Sequence, residues 1–359
     1  MHVAICGAGV IGASVAYFLA LRGVRVTLIE RGDVACAASG KSGGFLARDW
    51  CDGTALGPLA QRSFDLHAEL ATAFARDGKD YGYRRVNTLM VHDETRPQPA
   101  TNHWLNGNAR IGGLLGDENS TAQVSPESFT QVLVDAACKL GARMVFGEVE
   151  GLATRHSDEG SVRRVGGVSV GGSILEVDAV VTAMGPWTNG LSDALGLPPV
   201  HGLRGNSLIL KPQTPIPPEC LFIESHDPSA GNISPEIYPR PDGSVYVCGM
   251  ADDRPIPMDP LAIEANDPAC DVLFSVGARL SSHLAEAKIV KKQACFRPIV
   301  ADGLPLLGAV TALDGVYAAT GHNCWGILNA PASGEALAEL ISTGESQRVD
   351  LQPFHPARF

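Results

Sequence analysis

The chain has 359 residues, of which 45% are hydrophobic and 19% are charged, and its formal net charge is −11. A chain longer than roughly 250–300 residues usually splits into domains, and this hydrophobic fraction excludes disorder as the dominant state. The acidic balance argues against a nucleic-acid partner, because a negatively charged surface repels the phosphate backbone.

The nine cysteines form no C-x-x-C pair and no zinc-like spacing with histidine, so the sequence predicts no metal site. An odd number of cysteines without a disulfide pattern is typical of a reducing compartment, and we expect a cytoplasmic protein. Residues 3–21 carry no charge, but the positively charged start of a signal peptide is missing before them. Three glycines interrupt this stretch, and we therefore expect no membrane span.

The first thirty residues predict a dinucleotide-binding unit. The predicted order is strand, helix, strand, at residues 2–6, 10–20 and 24–29. Gly7 and Gly9 stand between the first strand and the helix, Gly12 lies in the first turn of the helix, and Glu30 follows the second strand. In such a motif the glycines permit a tight turn, backbone approach to a pyrophosphate and helix packing on the strand, while the acid accepts the ribose hydroxyls. The motif alone does not separate NAD from FAD.

The rest of the chain is predicted to mix strands and helices. A small-residue stretch at 37–46 leaves many backbone N–H groups uncovered, which suits close approach to a phosphate or a flat ring. Helices are predicted at 59–74, 126–140, 268–284 and 330–341. Strands are predicted at 143–146, 178–183, 207–210, 236–239, 244–248 and 316–320, with a hairpin-like β segment at 162–177. Residues 93–116 are rich in Asn, Gly, Pro and Thr and are predicted to form a loop.

A second strand, glycine loop and helix follow one another over residues 316–341. This repeats the order found at the start of the chain. The dinucleotide fold is therefore predicted to be completed by distant sequence.

Taken in order and spacing, these motifs resemble the FAD-dependent D-amino-acid oxidase family, which includes glycine oxidase and sarcosine oxidase. The resemblance covers nearly the whole chain. It rests on the N-terminal glycine motif with Glu30-Arg31, Ala38-Ser39-Gly40, Ala183-x-Gly185-x-Trp187, Tyr238-Pro239-Arg240, Arg297-Pro298 with Asp302-Gly303, and Gly321-His322 to Gly334.

The resemblance implies FAD as cofactor and an α/β fold. A Rossmann-like FAD-binding domain is expected from discontinuous segments, residues 1–83, 121–203 and 288–359. The substrate domain is expected at 84–120 and 204–287, as an α+β unit with a mostly antiparallel sheet.

The family also implies which residues would bind FAD. The pyrophosphate would be cradled by Gly7, Gly9, Val10, Ile11 and Gly12. Glu30 would hold the adenosine ribose with Arg31 beside it, and the backbone of Val149 would contact adenine. The phosphate and the isoalloxazine would be approached by Ser39, Gly43, Gly44 and Phe45. The remaining cofactor candidates are Gly185, Trp187, Gly321 and Asn323, with Gly326 and Ile327 opening a helix towards the flavin N1–C2=O edge.

The reaction implied is oxidation of a small amine or amino acid to an imine by hydride transfer to flavin N5. Arg297 matches the arginine that grips the substrate carboxylate, and Arg48 is a second anion-binding candidate. Tyr238 and Glu236 share one face of a predicted strand, but strand parity does not say whether that face lines the pocket. An acid at 236 could pair with a substrate ammonium or be a solvated edge residue. His322 could contact flavin or substrate, or be structural.

Cys295 matches the cysteine through which sarcosine oxidase attaches its flavin, but a buried cysteine with non-covalent FAD is favoured over covalent attachment. No lysine occurs between Lys211 and Lys288, where sarcosine oxidase keeps its oxygen-activating lysine. Leu328 stands where that enzyme has a carboxylate-binding lysine. The electron acceptor therefore stays open between oxygen and another carrier.

Two other functions remain as alternatives. The chain also resembles a fungal member of the broad family that is linked to endosomal recycling, which suggests a flavin-binding regulatory protein with little or no turnover. An NAD-dependent dehydrogenase is the other alternative, and it leaves the glycine block between Gly321 and Gly334 unexplained.

Overall fold

The structure is a computed structural model that describes residues 1–97, 104–156 and 163–359. Its strands are β1 (His2–Cys6), β2 (Arg25–Glu30), β3 (Phe45–Ala47), β4 (Arg84–Arg85), β5 (Asn87–Asp93), β6 (Ala109–Gly116), β7 (Thr121–Gln123), β8 (Arg143–Phe146), β9 (Val149–His156), β10 (Arg163–Val170), β11 (Ser173–Glu176), β12 (Ala179–Thr182), β13 (His201–Lys211), β14 (Glu219–Asp227), β15 (Gly231–Ile233), β16 (Glu236–Pro239), β17 (Val245–Asp252), β18 (Lys288–Ile299), β19 (Leu306–Ala309) and β20 (Val316–Thr320). The α-helices are α1 (Val10–Leu21), α2 (Ala38–Lys41), α3 (Gly57–Arg76), α4 (Pro126–Lys139), α5 (Asn189–Leu195), α6 (Asp267–Leu280), α7 (Ser282–Ala285) and α8 (Gly326–Thr343). Short 3₁₀ turns lie at Gly185–Thr188, Pro260–Ala262, Asn323–Trp325, Gln352–Phe354 and Pro356–Arg358.

One sheet is mostly parallel and has the order β19-β20-β12-β1-β2-β8. Every residue of β1 is buried, as its apolar sequence predicts for a central parallel strand. β1 pairs in parallel with both β2 and β12, although β12 lies far along the chain. β20 then joins the outer side of β12. This confirms the Rossmann-like unit assembled from discontinuous segments.

A larger sheet has the order β18-β13-β17-β16-β14-β5-β6, with β15 added beside β14. All of its pairs are antiparallel except the pair of β14 with β5. The predicted α/β fold class with a second, mostly antiparallel sheet is therefore confirmed. Smaller antiparallel sheets are formed by β11-β10-β9 and by β3-β7-β4.

The structure corrects three of the predicted elements. The predicted loop at 93–116 contains β6, whose alternation of apolar residues is interrupted by Gly112 and Gly113; residues 98–103 of that prediction lie outside the described residues. The predicted helix at 268–284 is divided into α6 and α7, because Ser281 is extended and its hydroxyl donates to Trp104 O. The helix predicted at 330–341 begins earlier, at Gly326, and runs through Pro331.

The helices α1, α3, α4 and α8 share one hydrophobic core with the mostly parallel sheet. α8 lies very close to α1, since a Cβ added at Gly334 would stand 2.6 Å from Ser14. A separate core lies between α6 and the antiparallel sheet. The division of the chain into two domains at the boundaries given above stays a prediction. Among the described residues, none of the helices is long and apolar enough to cross a membrane.

Candidate active site

A deep cavity of about 830 Å³ lies between the glycine loop after β1 and one face of the antiparallel sheet. Most of the residues that the sequence singled out line it. They are Gly7, Gly9, Val10, Ile11, Glu30, Arg31, Ser39, Gly43, Gly44, Phe45, Val149, Gly185, Trp187, Glu236, Tyr238, Cys295, Arg297, His322, Asn323, Gly326 and Ile327. The sequence left open which face of this strand lines the pocket. In the structure Glu236 and Tyr238 both line the cavity, so the face that they share is the pocket face.

Three of the candidate residues do not line the cavity. Gly12 packs α1 against the chain at Gly7, where a Cβ would collide with Gly7 O. Gly321 lies beneath the cavity wall, where a Cβ would stand 2.5 Å from Val300 Cγ2. Arg48 is half-exposed, and its Nε pairs with Asp65 Oδ1 at 3.4 Å. Arg48 thus lies outside the cavity, and anion binding by Arg48 stays a prediction.

The end of the cavity beside β1 has the features of a dinucleotide cradle. Gly7 has φ +106° and a Cβ there would collide with Ala183 O, so only glycine fits this turn. Glu30 is fixed by two backbone donors, since Ala8 N–H donates to Oε2 at 2.8 Å and Gly32 N–H donates to Oε1 at 2.9 Å. α1 carries no acidic residue in its first turn, so the positive end of its dipole is free to meet a phosphate.

The segment 41–45 is tethered to the antiparallel sheet through its carbonyl groups. Tyr246 Oη donates to Lys41 O at 3.0 Å, and Gln293 Nε2 donates to the same oxygen at 3.1 Å. Arg240 Nη2 donates to Ser42 O at 2.9 Å. Gly43 then passes so close to the ring of Tyr238 that a Cβ would collide with it. Sequence reasoning assigned no role to Arg240, Tyr246 or Gln293, although Arg240 stands in the Tyr-Pro-Arg motif.

α8 begins in the cavity wall and is supported from α3. Pro331 lacks the N–H that would bond Ile327 O, and His67 Nε2–H donates to that carbonyl at 3.0 Å. Next along the helix, Ala332 N–H donates to Ser63 Oγ at 3.1 Å. No acidic residue lies in the first turn of α8, so its positive dipole end faces the cavity at Gly326.

His322 lies in the cavity wall as a neutral imidazole. The side chain is buried, and Nε2 lies 3.1 Å from Ser333 Oγ. Burial lowers the pKa of His322 to about 3. Nδ1 is buried without a hydrogen-bond partner among the described residues.

The sheet side of the cavity carries one carboxylate and one guanidinium. Glu236 Oε2 accepts hydrogen bonds from Tyr238 Oη and, at 3.4 Å, from Cys248 Sγ. Arg297 is half-buried in β18, and its Nε has no hydrogen-bond partner in the described part of the chain. Cys295 is on the same face of β18 as Arg297, two residues before it, and is 8% exposed. Over the same described ranges no cluster of His, Cys, Asp and Glu is placed to hold a metal ion.

Comparisons with known proteins agree with this geometry. The model of the family described as FAD dependent oxidoreductase (DAO) matches residues 2–340. A Schizosaccharomyces pombe protein whose name describes it as an oxidoreductase is 28% identical over 380 residues, covering 98% of this chain and 97% of its own. Glycine oxidase of Pseudomonas aeruginosa is 28% identical over 374 residues, covering 99% of this chain and 98% of its own. The crystal structure of glycine oxidase from Geobacillus kaustophilus superposes with a TM-score of 0.83 at 25% identity, covering 99% of this chain and 98% of that one.

The residues present fit FAD. The tight turn at Gly7 admits only glycine, because a Cβ there would collide with Ala183 O, and Glu30 is fixed at the ribose position of such sites. Two helix N-termini without first-turn acids open into one cavity, as suits a pyrophosphate and an electron-rich ring. The match to an FAD family also decides between the two dinucleotides that the glycine motif left open. The chain belongs to the family of FAD-dependent oxidoreductases.

Proposed function

We propose that this chain oxidises a small amine or amino acid to its imine, which water then hydrolyses. The observation that carries the proposal is the position of Arg297, whose guanidinium lines the same cavity as the dinucleotide cradle. The names of the similar glycine oxidases support an amino-acid substrate. FAD held by the residues of the dinucleotide cradle would supply the two-electron oxidation, as the hydride acceptor at N5.

The side chains of the chain then bind and orient the substrate. Arg297 grips the carboxylate through a planar pair of N–H donors, which fixes the α-carbon relative to the rest of the cavity. His322 stays neutral because it is buried, so it adds no second positive charge near the carboxylate. The N-terminal end of α8 stabilises negative charge that develops beside Gly326. Cys295 packs in the wall, and FAD is held without a covalent bond. Oxygen or another carrier takes the electrons.

The first test is the visible absorption of the purified protein, followed by anaerobic mixing with a panel of amines and amino acids. We expect a yellow protein whose flavin absorption is bleached by at least one of them. A colourless protein that takes up no FAD would contradict the cofactor assignment. Tight flavin without reduction by any compound, together with a stable protein partner, would instead favour the regulatory role in endosomal recycling.

Arg297→Met tests whether Arg297 binds the substrate carboxylate. Loss of the charged hydrogen bonds removes about 2–4 kcal/mol of binding, so kcat/KM for a carboxylate substrate should fall roughly 30- to 1000-fold. FAD should remain bound, and oxidation of an amine without a carboxylate should change far less. Unchanged kinetics with the carboxylate substrate would refute the role of Arg297.

A further inference from the structure

One oxygen of the Glu236 carboxylate has no hydrogen-bond partner within the described ranges of the chain. Tyr238 and Cys248 both donate to Oε2, whereas Oε1 makes no hydrogen bond with any described residue. Burial raises the pKa of Tyr238 and of Cys248 well above their ordinary values, so both groups remain donors. A carboxylate fixed in this way in a partly buried site lacks the positive charge that would offset its desolvation.

An aromatic cluster begins beside this carboxylate and continues along the cavity wall. Phe222 is the direct cross-strand neighbour of Glu236 in the pair of β14 with β16. The centroid of the Phe222 ring lies 4.8 Å from that of Trp50 and 5.1 Å from that of Phe45. The ring of Phe45 stacks on that of Tyr238, with a centroid distance of 5.6 Å. All of these residues line the cavity. Aromatic rings attract an organic cation through their quadrupole, and a carboxylate attracts it through its negative charge.

Glu236 and Arg297 face the same part of the cavity without neutralising each other. Burial raises the pKa of the Cys324 thiol, the positive charge of Arg297 lowers it, and the negative charge of Glu236 raises it. Both charged groups therefore lie near this thiol. Among the described residues neither Glu236 nor Arg297 belongs to an ion pair. The other acidic and basic side chains of the cavity lie at the dinucleotide end, where Arg31 pairs with Glu148 at 3.0 Å. The substrate end is therefore built for a molecule with both a carboxylate and a cation.

The cation is not the nitrogen that is oxidised. Removal of hydride from the α-carbon needs the lone pair of the adjacent nitrogen, which an ammonium group does not have. A carboxylate in contact with that nitrogen would stabilise its protonated form and so oppose the reaction.

We propose that the substrate is a basic amino acid whose side chain ends in an amino or guanidino group, and that Glu236 binds this second nitrogen while Arg297 binds the carboxylate. This inference rests on the proposed function and names the substrate class for it.

The test is an anaerobic titration of the holoenzyme with carboxylates that lack an α-amino group. Binding is measured by the change in flavin absorption. The matched pairs are 4-aminobutanoate with butanoate, 5-aminopentanoate with pentanoate, and 6-aminohexanoate with hexanoate. For at least one pair the amino compound should bind about 10-fold or more tightly, because a charge-assisted hydrogen bond contributes about 1.5–3 kcal/mol. Glu236→Gln should remove this preference. Glu224→Gln, on the neighbouring strand β14 and exposed, is the matched control and should retain it.

Three results would overturn the proposal. The first is equal affinity for the two compounds of every pair, and the second is a preference for the amino compound that persists in Glu236→Gln. The third is reduction of the flavin by an ω-amino carboxylate, which would place the ω-nitrogen at the reacting position. If Glu236→Gln fails to retain FAD, the comparison of each amino compound with its partner on the wild-type protein is sufficient to test the proposal. Failure of the proposed function looks different, since then no carboxylate perturbs the flavin and no amine reduces it.

Discussion

At the scale of single residues, Cys295 decides how the cofactor is held. Attack on a flavin requires the thiolate, and burial raises the pKa of the Cys295 thiol to about 11, although Lys41 and Arg297 lower it. At pH 7 only about one thiol in ten thousand would be ionised. The buried environment therefore favours packing over covalent attachment, even though the residue lies in the cavity.

Cys295→Ser should therefore bind the same amount of FAD as the wild-type protein. After acid precipitation, the flavin of both proteins should appear in the supernatant. Cys138→Ser, which removes an exposed thiol at the end of α4, is the control. A yellow pellet from the wild type and the control but not from Cys295→Ser would identify Cys295 as the attachment site.

At the scale of elements, the tether of segment 41–45 to the antiparallel sheet should set the affinity for FAD. Tyr246→Phe removes one of the two donors to Lys41 O, and a hydrogen bond of this kind contributes about 0.5–1.5 kcal/mol. The dissociation constant for FAD, measured by titrating the apoprotein, should rise roughly 2- to 10-fold. Tyr317→Phe, in β20 outside the cavity, should leave it unchanged. An unaltered constant even in the double variant Tyr246→Phe with Gln293→Leu would refute the tether.

The start of α8 shows where local sequence rules reach their limit. Proline in a helix removes one hydrogen bond, and Pro331 lies inside α8, six residues into the helix. His67 of α3, more than 250 residues earlier in the chain, supplies the missing donor, and Ser63 of the same helix accepts a hydrogen bond from Ala332 N–H. No local pattern around Pro331 contains that information, so these supporting contacts of α8 follow only from the tertiary fold.

At the scale of the whole molecule, the sequence predicts the residues of the dinucleotide half from local motifs, whereas on the substrate side it predicts single residues but not their contacts. Gly7, Gly9 and Glu30 lie within one strand–helix–strand unit, where each residue type has a fixed mechanical role. The partners of Glu236 come from positions 238 and 248, and the register between β16 and β17 that unites them depends on the whole sheet. Arg48 lies outside the cavity beside Asp65 of α3, and the sequence does not show that contact.

The same tertiary contacts make the stability of the fold depend on pH through two buried histidines. Burial lowers the pKa of His67 to about 4, although hydrogen bonds to Ile327 O and Leu328 O raise it, and burial lowers that of His322 to about 3. The unfolded chain takes up protons at these histidines near pH 6.5, whereas the folded chain does so only below pH 4. Between those values the unfolded state binds more protons, so the free energy of unfolding falls as the pH falls.

At pH 5.0 each histidine should contribute a loss of about 2 kcal/mol relative to pH 7.5. His67→Gln keeps a donor for the α8 carbonyls but removes one titrating group. Its loss of stability between the two pH values should therefore be about 2 kcal/mol smaller than that of the wild type, measured by urea unfolding with FAD in excess. His226→Gln, on the exposed side of β14, is the matched control. His67 lies on α3 and is completely buried, so its pKa should differ between the folded and the unfolded chain. Equal losses of stability in the wild type and in His67→Gln would refute this difference.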